Sequence, residues 1–277
     1  MALLIFFTLA LYLLSIVLFW HRIKQSTPTS ADGVRDISPG NRPAYQLLVT
    51  VIALLHSVLL FKAAVHGNEL NIALGHVFSL VCLMTVIVFL AGSLTRHTLN
   101  LGALVMPLGL AGLITGQYFT GSSHVIQDAP VSLWLHLVIA LLAFSILCIA
   151  AAQALLLYLQ EKQLHSSNPG ALFPALPALE TMESNLFFLT LIGALLLTAN
   201  LLIGMVSSFQ VHGRTLVFNH HILLSFIAWL GFTGLLVGHR IYGWRGGIAA
   251  KWTMIAFFIL FLAYFGTRFV KSTILTG

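Results

Sequence analysis

Residues 219–241 read NHHILLSFIAWLGFTGLLVGHRI, an apolar run that is long enough to cross a bilayer as one helix. It carries no charge before Arg240, and histidines stand at or near both of its ends. Similar apolar runs recur along the chain, at about 2–21, 45–66, 72–92, 98–118, 133–159, 184–208 and 249–272. We therefore predict an all-α fold, a polytopic transmembrane helix bundle of about eight helices that forms one integral membrane domain over residues 1–277.

The composition excludes an ordinary soluble domain, because 59% of residues are hydrophobic, only 7% are charged and the mean hydropathy is +0.99. In such a chain the excess of 13 Lys and Arg over 7 Asp and Glu marks cytoplasmic loops and does not indicate nucleic-acid binding. Nine basic residues lie near the first, third, fifth and seventh connections, and four lie on the other side. For a bacterial inner membrane protein, which we expect this chain to be, the asymmetry predicts that both termini are periplasmic. The first segment has no basic n-region and no small-residue cleavage site, so we predict that this helix is retained.

The sequence contains none of the motifs that mark common catalytic sites, such as GxSxG, HExxH, a Walker loop or GxGxxG. The sequence therefore gives no reason to assign an enzymatic activity. Cys82 and Cys148 both lie inside apolar segments and do not predict a disulfide framework. The apolar segments lack Asp and Glu, so the sequence does not favour ion-coupled transport.

Twelve histidines remain in this nearly uncharged chain. An imidazole in hydrocarbon costs free energy unless it finds a partner, and imidazole is a common ligand of haem iron. Two segments place small side chains behind an outer histidine at helical spacing: His221, Ser225 and Ala228 on the seventh, and His136, Ala140 and Ala143 on the fifth. We predict that His136 and His221 line a flat slot for haem near the outer surface, with Phe232 as its floor.

Three further residues are candidates for this site. His220 neighbours His221 but points about 100° away around a helix, so only one of the two easily serves the same slot. His56 lies near the middle of the second segment. Arg268, in the last segment, either pairs with a carboxylate such as a haem propionate or snorkels to lipid phosphate.

A purely structural interpretation stays open beside this one. Small residues at helical spacing usually let membrane helices pack closely, and we interpret Gly109, Gly112 and Gly116 in that way. A single membrane histidine often just bonds the carbonyl of a neighbouring helix. The pattern alone does not decide between a packing role and a ligand role for each histidine.

Several short stretches resemble the cytochrome c assembly protein family. They are Trp134-Leu135-His136, Leu224 to Trp229, Gly243-Trp244-Arg245-Gly246 and Tyr264-Phe265-Gly266. Their order and spacing match along about residues 45–272, and the eight-helix layout agrees. The resemblance implies haem handling, with His136 at the position of an outer haem histidine.

The chain departs from CcsA-type members of that family in one connection. Those members carry a long tryptophan-rich WWD segment between the sixth and seventh helices, whereas Ser207 to Asn219 contains no Trp. The resemblance therefore implies a haem-binding or haem-handling accessory role in cytochrome c or haemoprotein assembly. The expected partners are membrane lipid, haem, and apocytochrome c or other assembly proteins. The alternative is a cofactor-free membrane subunit or regulator of a transporter or enzyme.

Overall fold

The computed structural model describes residues 1–25, 42–66, 69–70, 73–95, 99–119, 131–164, 176–212 and 220–266. Within these ranges eight helices are long and apolar enough to cross a membrane, as the sequence predicts. They are α1 (Ala2–Gln25), α2 (Arg42–Ala64), α3 (Leu74–Thr95), α4 (Gly102–Tyr118), α5 (Val131–Leu164), α6 (Leu179–His212), α7 (His220–Tyr242) and α8 (Gly246–Phe261). A 3-10 turn at Leu99–Leu101 precedes α4, and a π turn at Leu262–Gly266 continues α8.

Two details of the elements differ from the sequence prediction. Short antiparallel strands, β1 (Val65–His66) and β2 (Glu69–Leu70), pair between α2 and α3. Helices α5 and α6 each have 34 residues, roughly 50 Å of helix, which exceeds the bilayer core of about 30 Å. Their extra turns are joined side by side, because the amides of Gln153 and Gln160 donate to the carbonyls of Met182 and Pro177 at 3.0 and 3.1 Å.

The helices form two groups of four. In the first, α1 to α4 pack around a core that includes Tyr12, Val49 and Met106. In the second, α5 contacts α6 and α8, and α7 contacts the same two helices, so that α5 and α7 lie diagonally across the group. Contacts between α3 and α5 join the two groups. The apolar core also crosses between the groups, since Val81 of α3 packs in one cluster with residues of α5 to α8.

Helix α4 packs through its glycine face, which agrees with the packing interpretation of these residues. A Cβ on Gly109 would lie 2.8 Å from the Tyr12 ring, and one on Gly116 would lie 2.6 Å from Ser79 Oγ. A Cβ on Gly112 would overlap Cys82. These close approaches bring α4 against α1 and α3.

The tight turn between α7 and α8 requires glycine at Gly243 and Gly246. Gly243 and Gly246 have φ of 67° and 55°, a region that favours glycine. Trp244 folds back onto Gly238, where an added Cβ would overlap the indole, and the Trp244 carbonyl accepts from Nδ1 of His239 at 2.8 Å. The turn therefore has an architectural role in directing α8 back into the bundle.

A carboxylate from another helix meets this turn. The Glu161 side chain of α5 lies against Gly246 and Gly247, at the start of α8, where a negative charge suits the positive end of the helix dipole. Arg245 in turn lies 3.9 Å from the Glu183 carboxylate of α6. Three helices thus meet at one end of the bundle.

The opposite end of the bundle is rich in histidine. Because successive helices run in alternating directions, the starts of α3, α5 and α7 meet there, with His76, His136, His220 and His221. We call this the histidine-rich end. Its placement on the periplasmic side stays a prediction.

Candidate functional site

His136 sits on α5 against α6, within the second group of helices. Its Nδ1 lies 3.1 Å from the backbone carbonyl of Asn200, and its ring packs over Gly204, where a Cβ would lie 3.0 Å from Cε1. Because a carbonyl only accepts, Nδ1 carries the proton and Nε2 carries the lone pair. A metal-ligating histidine usually donates its other N–H to a carbonyl or carboxylate in this way, and a histidine with only a packing role makes the same bond to a neighbouring helix.

Two buried polar atoms accompany His136 on α6. Asn200 Oδ1 and Ser207 Oγ are buried and have no hydrogen-bond partner among the described residues. Asn200, Gly204 and Ser207 follow one another at helical spacing and therefore share a face. Polar atoms left this way in an apolar interior are costly, and a bound polar or metal-containing group would relieve that cost.

On α7 the predicted stripe does face the core. Ser225, Ala228, Phe232 and Leu235 are all buried. His221, at the first turn of α7, is half-buried. Its ring centroid lies 6.0 Å from that of Tyr264, which belongs to the π turn that continues α8. His220 is exposed. The two adjacent histidines thus have different surroundings, and His221 is the one turned towards the bundle.

Residues from the stripes of α5 and α7 belong to one apolar cluster, although the two helices lie diagonally in the group. Ala143 and Ala228 are both members, and the fully buried ring of Phe232 on α7 is another. Trp229 on α7 also donates from Nε1 to Thr198 Oγ1 on α6 at 2.8 Å, which ties α7 to the helix that contacts His136. The interior below the two histidines is therefore filled by side chains, and any slot for a flat ligand is restricted to the histidine-rich end.

His56 has both ring nitrogens engaged. Its Nδ1 lies 2.9 Å from Tyr12 Oη, and its Nε2 lies 2.9 Å from Ser79 Oγ. The side chain is fully buried between α1, α2 and α3. To bind iron, His56 would have to give up one of these hydrogen bonds. Arg268, the remaining predicted site residue, lies outside the described residues.

Sequence reasoning passed over His76. The structure buries its imidazole, only 3% exposed, in the wall of a cavity of about 420 Å³ between α2, α3 and α5. Trp134 and Tyr264 line the same cavity. His76 stands at the start of an apolar run with no helical pattern of small residues to distinguish it, so only its tertiary surroundings identify it.

Within the residues that the structure describes, no group of three or more His, Cys, Asp or Glu side chains gathers around a common point. A chelated bare ion would need such a group. Haem needs less from the protein, since its iron takes one or two axial side chains. His136 with Nε2 available, an apolar interior and buried polar atoms fit that requirement.

This polytopic helical bundle with histidines gathered at one end has known relatives. The chain belongs to the cytochrome c assembly protein family, whose model, described as "Cytochrome C assembly protein", matches residues 44–275. Inner membrane protein YpjD of Escherichia coli (strain K12) is 31% identical over 243 residues, which cover 82% of this chain and 87% of that protein. The "Uncharacterized 28.8 kDa protein in nifR3-like 5'region" of Azospirillum brasilense is 33% identical over 195 residues, 68% of this chain and 71% of that protein.

Proposed function

We propose that this chain is a haem-handling membrane protein of cytochrome c or haemoprotein assembly, which holds its cargo at the histidine-rich end. The observation that carries the proposal is the His136 geometry: Nδ1 is tied to the Asn200 carbonyl and Nε2 is left as a ligand nitrogen. Membership of the cytochrome c assembly family supports it independently.

In this proposal His136 would supply one nitrogen ligand to the haem iron. His221, diagonally opposite on α7 and half-buried, would supply the other, since helix bundles commonly build cofactor sites from side chains of several helices. Arg268 is retained as the partner of a haem propionate. Haem, when held, would supply an iron centre that takes nitrogen ligands, and the chain's own part is to orient the two imidazoles and to exclude water with Phe232 and its neighbours.

The cellular setting follows from the relatives and the charge distribution. One relative is named as an inner membrane protein, and the basic residues favour both termini on the periplasmic side. The histidine-rich end then faces the periplasm, where apocytochrome c or another assembly protein receives haem. Because Ser207 to Asn219 carries no tryptophan-rich segment, the proposed role is accessory.

Absorption spectroscopy of the detergent-purified chain tests this function. Supplied with haemin, the wild-type chain should develop a Soret band with a bis-histidine visible spectrum. His136→Ala should weaken haem affinity by at least about tenfold, because an axial nitrogen is lost. His220→Ala is the matched control and should bind like the wild type, since that ring is exposed on another side of α7.

The opposite result is equally clear. A pure wild-type preparation without a Soret band after haemin is supplied would overturn the proposal and favour the cofactor-free subunit. Equal haem affinities of the His136→Ala variant and the wild type would move the site away from α5.

A further inference from the structure

The cavity that contains His76 is not lined by His136 and is centred on a neighbouring face of α5, although Ala140, one turn after His136, also lines it. Its walls come from α2, α3 and α5, and Tyr264 closes it near the end of α8. Trp134 and His136 are two residues apart, about 200° around a helix, so they point in nearly opposite directions. The inference below concerns this cavity alone and does not rest on haem binding.

The cavity runs along the helices for the depth of one leaflet. On α5 its lining extends from Trp134 to Phe144, ten residues or roughly 15 Å of helix. The bilayer core is about 30 Å thick, so this length equals half of it. The cavity starts at the helix ends, where Ala64, the last residue of α2, also lines it, and it ends near the depth of Phe144.

The polarity of the lining changes along this length. The shallow end has the buried imidazole of His76 and the rings of Trp134 and Tyr264, side chains that suit the headgroup level. The deep end is mostly apolar, with Val81, Leu83 and Leu141 among its lining residues, and the hydroxyl of Ser57, which also lines it, donates to the Ala53 carbonyl of its own helix. This gradient is that of an amphiphile with its polar group at the interface and its hydrocarbon towards the midplane.

The margin of the cavity is open to the side. Phe61 is 67% exposed, and Val138 and Leu80 are 49% and 39% exposed. All three lie in helices that span the membrane, so in a bilayer these side chains contact lipid. A hydrocarbon chain enters such a cavity from the bilayer without crossing water.

We propose that this cavity is a specific lipid site, which holds one acyl chain of a membrane glycerophospholipid. The ester carbonyl of the lipid accepts a hydrogen bond from a ring N–H of His76. A neutral imidazole has one N–H donor and an ester carbonyl only accepts, so the pair is complementary. The volume of about 420 Å³ lies within the roughly 300–1,000 Å³ range of ligand pockets.

Native mass spectrometry of the full chain, released from nanodiscs of phosphatidylethanolamine and phosphatidylglycerol, tests the proposal. The wild type should retain one phospholipid after delipidating detergent. Ala64→Phe, which fills the shallow end, should lower the lipid-bound fraction about tenfold. Ala111→Phe makes the same change at an exposed position on α4 and should retain lipid like the wild type.

A second variant separates the hydrogen bond from the volume. His76→Leu replaces the imidazole by an apolar side chain of similar size, so that the hydrogen-bond donor is lost while the cavity volume is kept. This variant should also lower the lipid-bound fraction about tenfold. The proposal is overturned if the wild type retains no lipid, if it retains a free fatty acid in place of a phospholipid, or if Ala64→Phe and Ala111→Phe behave alike. Should Ala64→Phe fail to fold, His76→Leu alone decides the outcome by the same comparison.

Discussion

Tyr12, His56 and Ser79 form a buried polar chain that links three helices. The imidazole bonds the phenol at one nitrogen and the serine hydroxyl at the other, both at 2.9 Å. All three side chains are at most 1% exposed. Every polar atom of the imidazole is therefore satisfied, which is how an apolar bundle tolerates a histidine at its centre. These two hydrogen bonds connect α1 and α3 to α2 and give the three side chains a structural role.

Removing one of the two hydrogen bonds of His56 should destabilise the protein. Tyr12→Phe keeps the ring in place but leaves His56 Nδ1 without its partner, at an expected cost of about 1 kcal/mol in unfolding free energy. Ser57→Ala is the control: its hydroxyl only bonds the Ala53 carbonyl of its own helix, so the change should stay within about 0.5 kcal/mol. Equilibrium unfolding in mixed micelles measures the unfolding free energy of both variants. Equal stabilities would contradict the structural role of the Tyr12–His56 hydrogen bond.

At the level of the helices, the packing of α4 against its neighbours depends on three glycines. Gly109, Gly112 and Gly116 form a face on which Tyr12, Cys82 and Ser79 rest directly. A helix with Pro107 inside it and no charged residue gains little from its own propensity, so its position depends on this close packing.

A methyl group on that face should therefore be costly. Gly112→Ala would drive a Cβ into Cys82 and separate α4 from α3, and we expect a loss of about 1–3 kcal/mol. Gly234→Ala is the matched control on α7, because nothing lies within 4 Å of its added Cβ. That variant should be neutral or gain up to about 1 kcal/mol from helix propensity. Thermal unfolding in detergent compares them, and a neutral Gly112→Ala would show that α3 and α4 can separate freely.

Across the whole molecule, the alternating helices gather histidines at one end and the Gly243–Gly246 turn at the other. Which end faces the periplasm follows only from the basic residues in the loops. The long helix α5 offers a direct test, because its two ends, Val131 and Lys162, are both exposed and lie on opposite sides of the bundle.

Single cysteines at these positions should report the orientation. Val131→Cys should react with a membrane-impermeant maleimide in spheroplasts, and Lys162→Cys should react only after the membrane is permeabilised. The parent chain provides the background, since Cys82 and Cys148 are free thiols inside spans. The reverse pattern would place the histidine-rich end in the cytoplasm and would remove periplasmic delivery from the proposed function.

The candidate site was only partly accessible from the sequence. The spacing of His221, Ser225 and Ala228 correctly indicates a face turned to the core, because the helical period is a local property. The difference between His136, with one nitrogen tied to a carbonyl, and His56, with both engaged, is not visible in any pattern. It depends on side chains that are distant along the chain.

The sequence by itself determined the eight spans and the all-helical class, because a backbone in hydrocarbon must satisfy its own hydrogen bonds and each apolar run carries that information locally. Only the tertiary structure decided which partner each imidazole meets and that His76 lines a cavity. The reason is that the rotation of each helix about its axis, and its choice of neighbours, follow from the packing of all eight helices together.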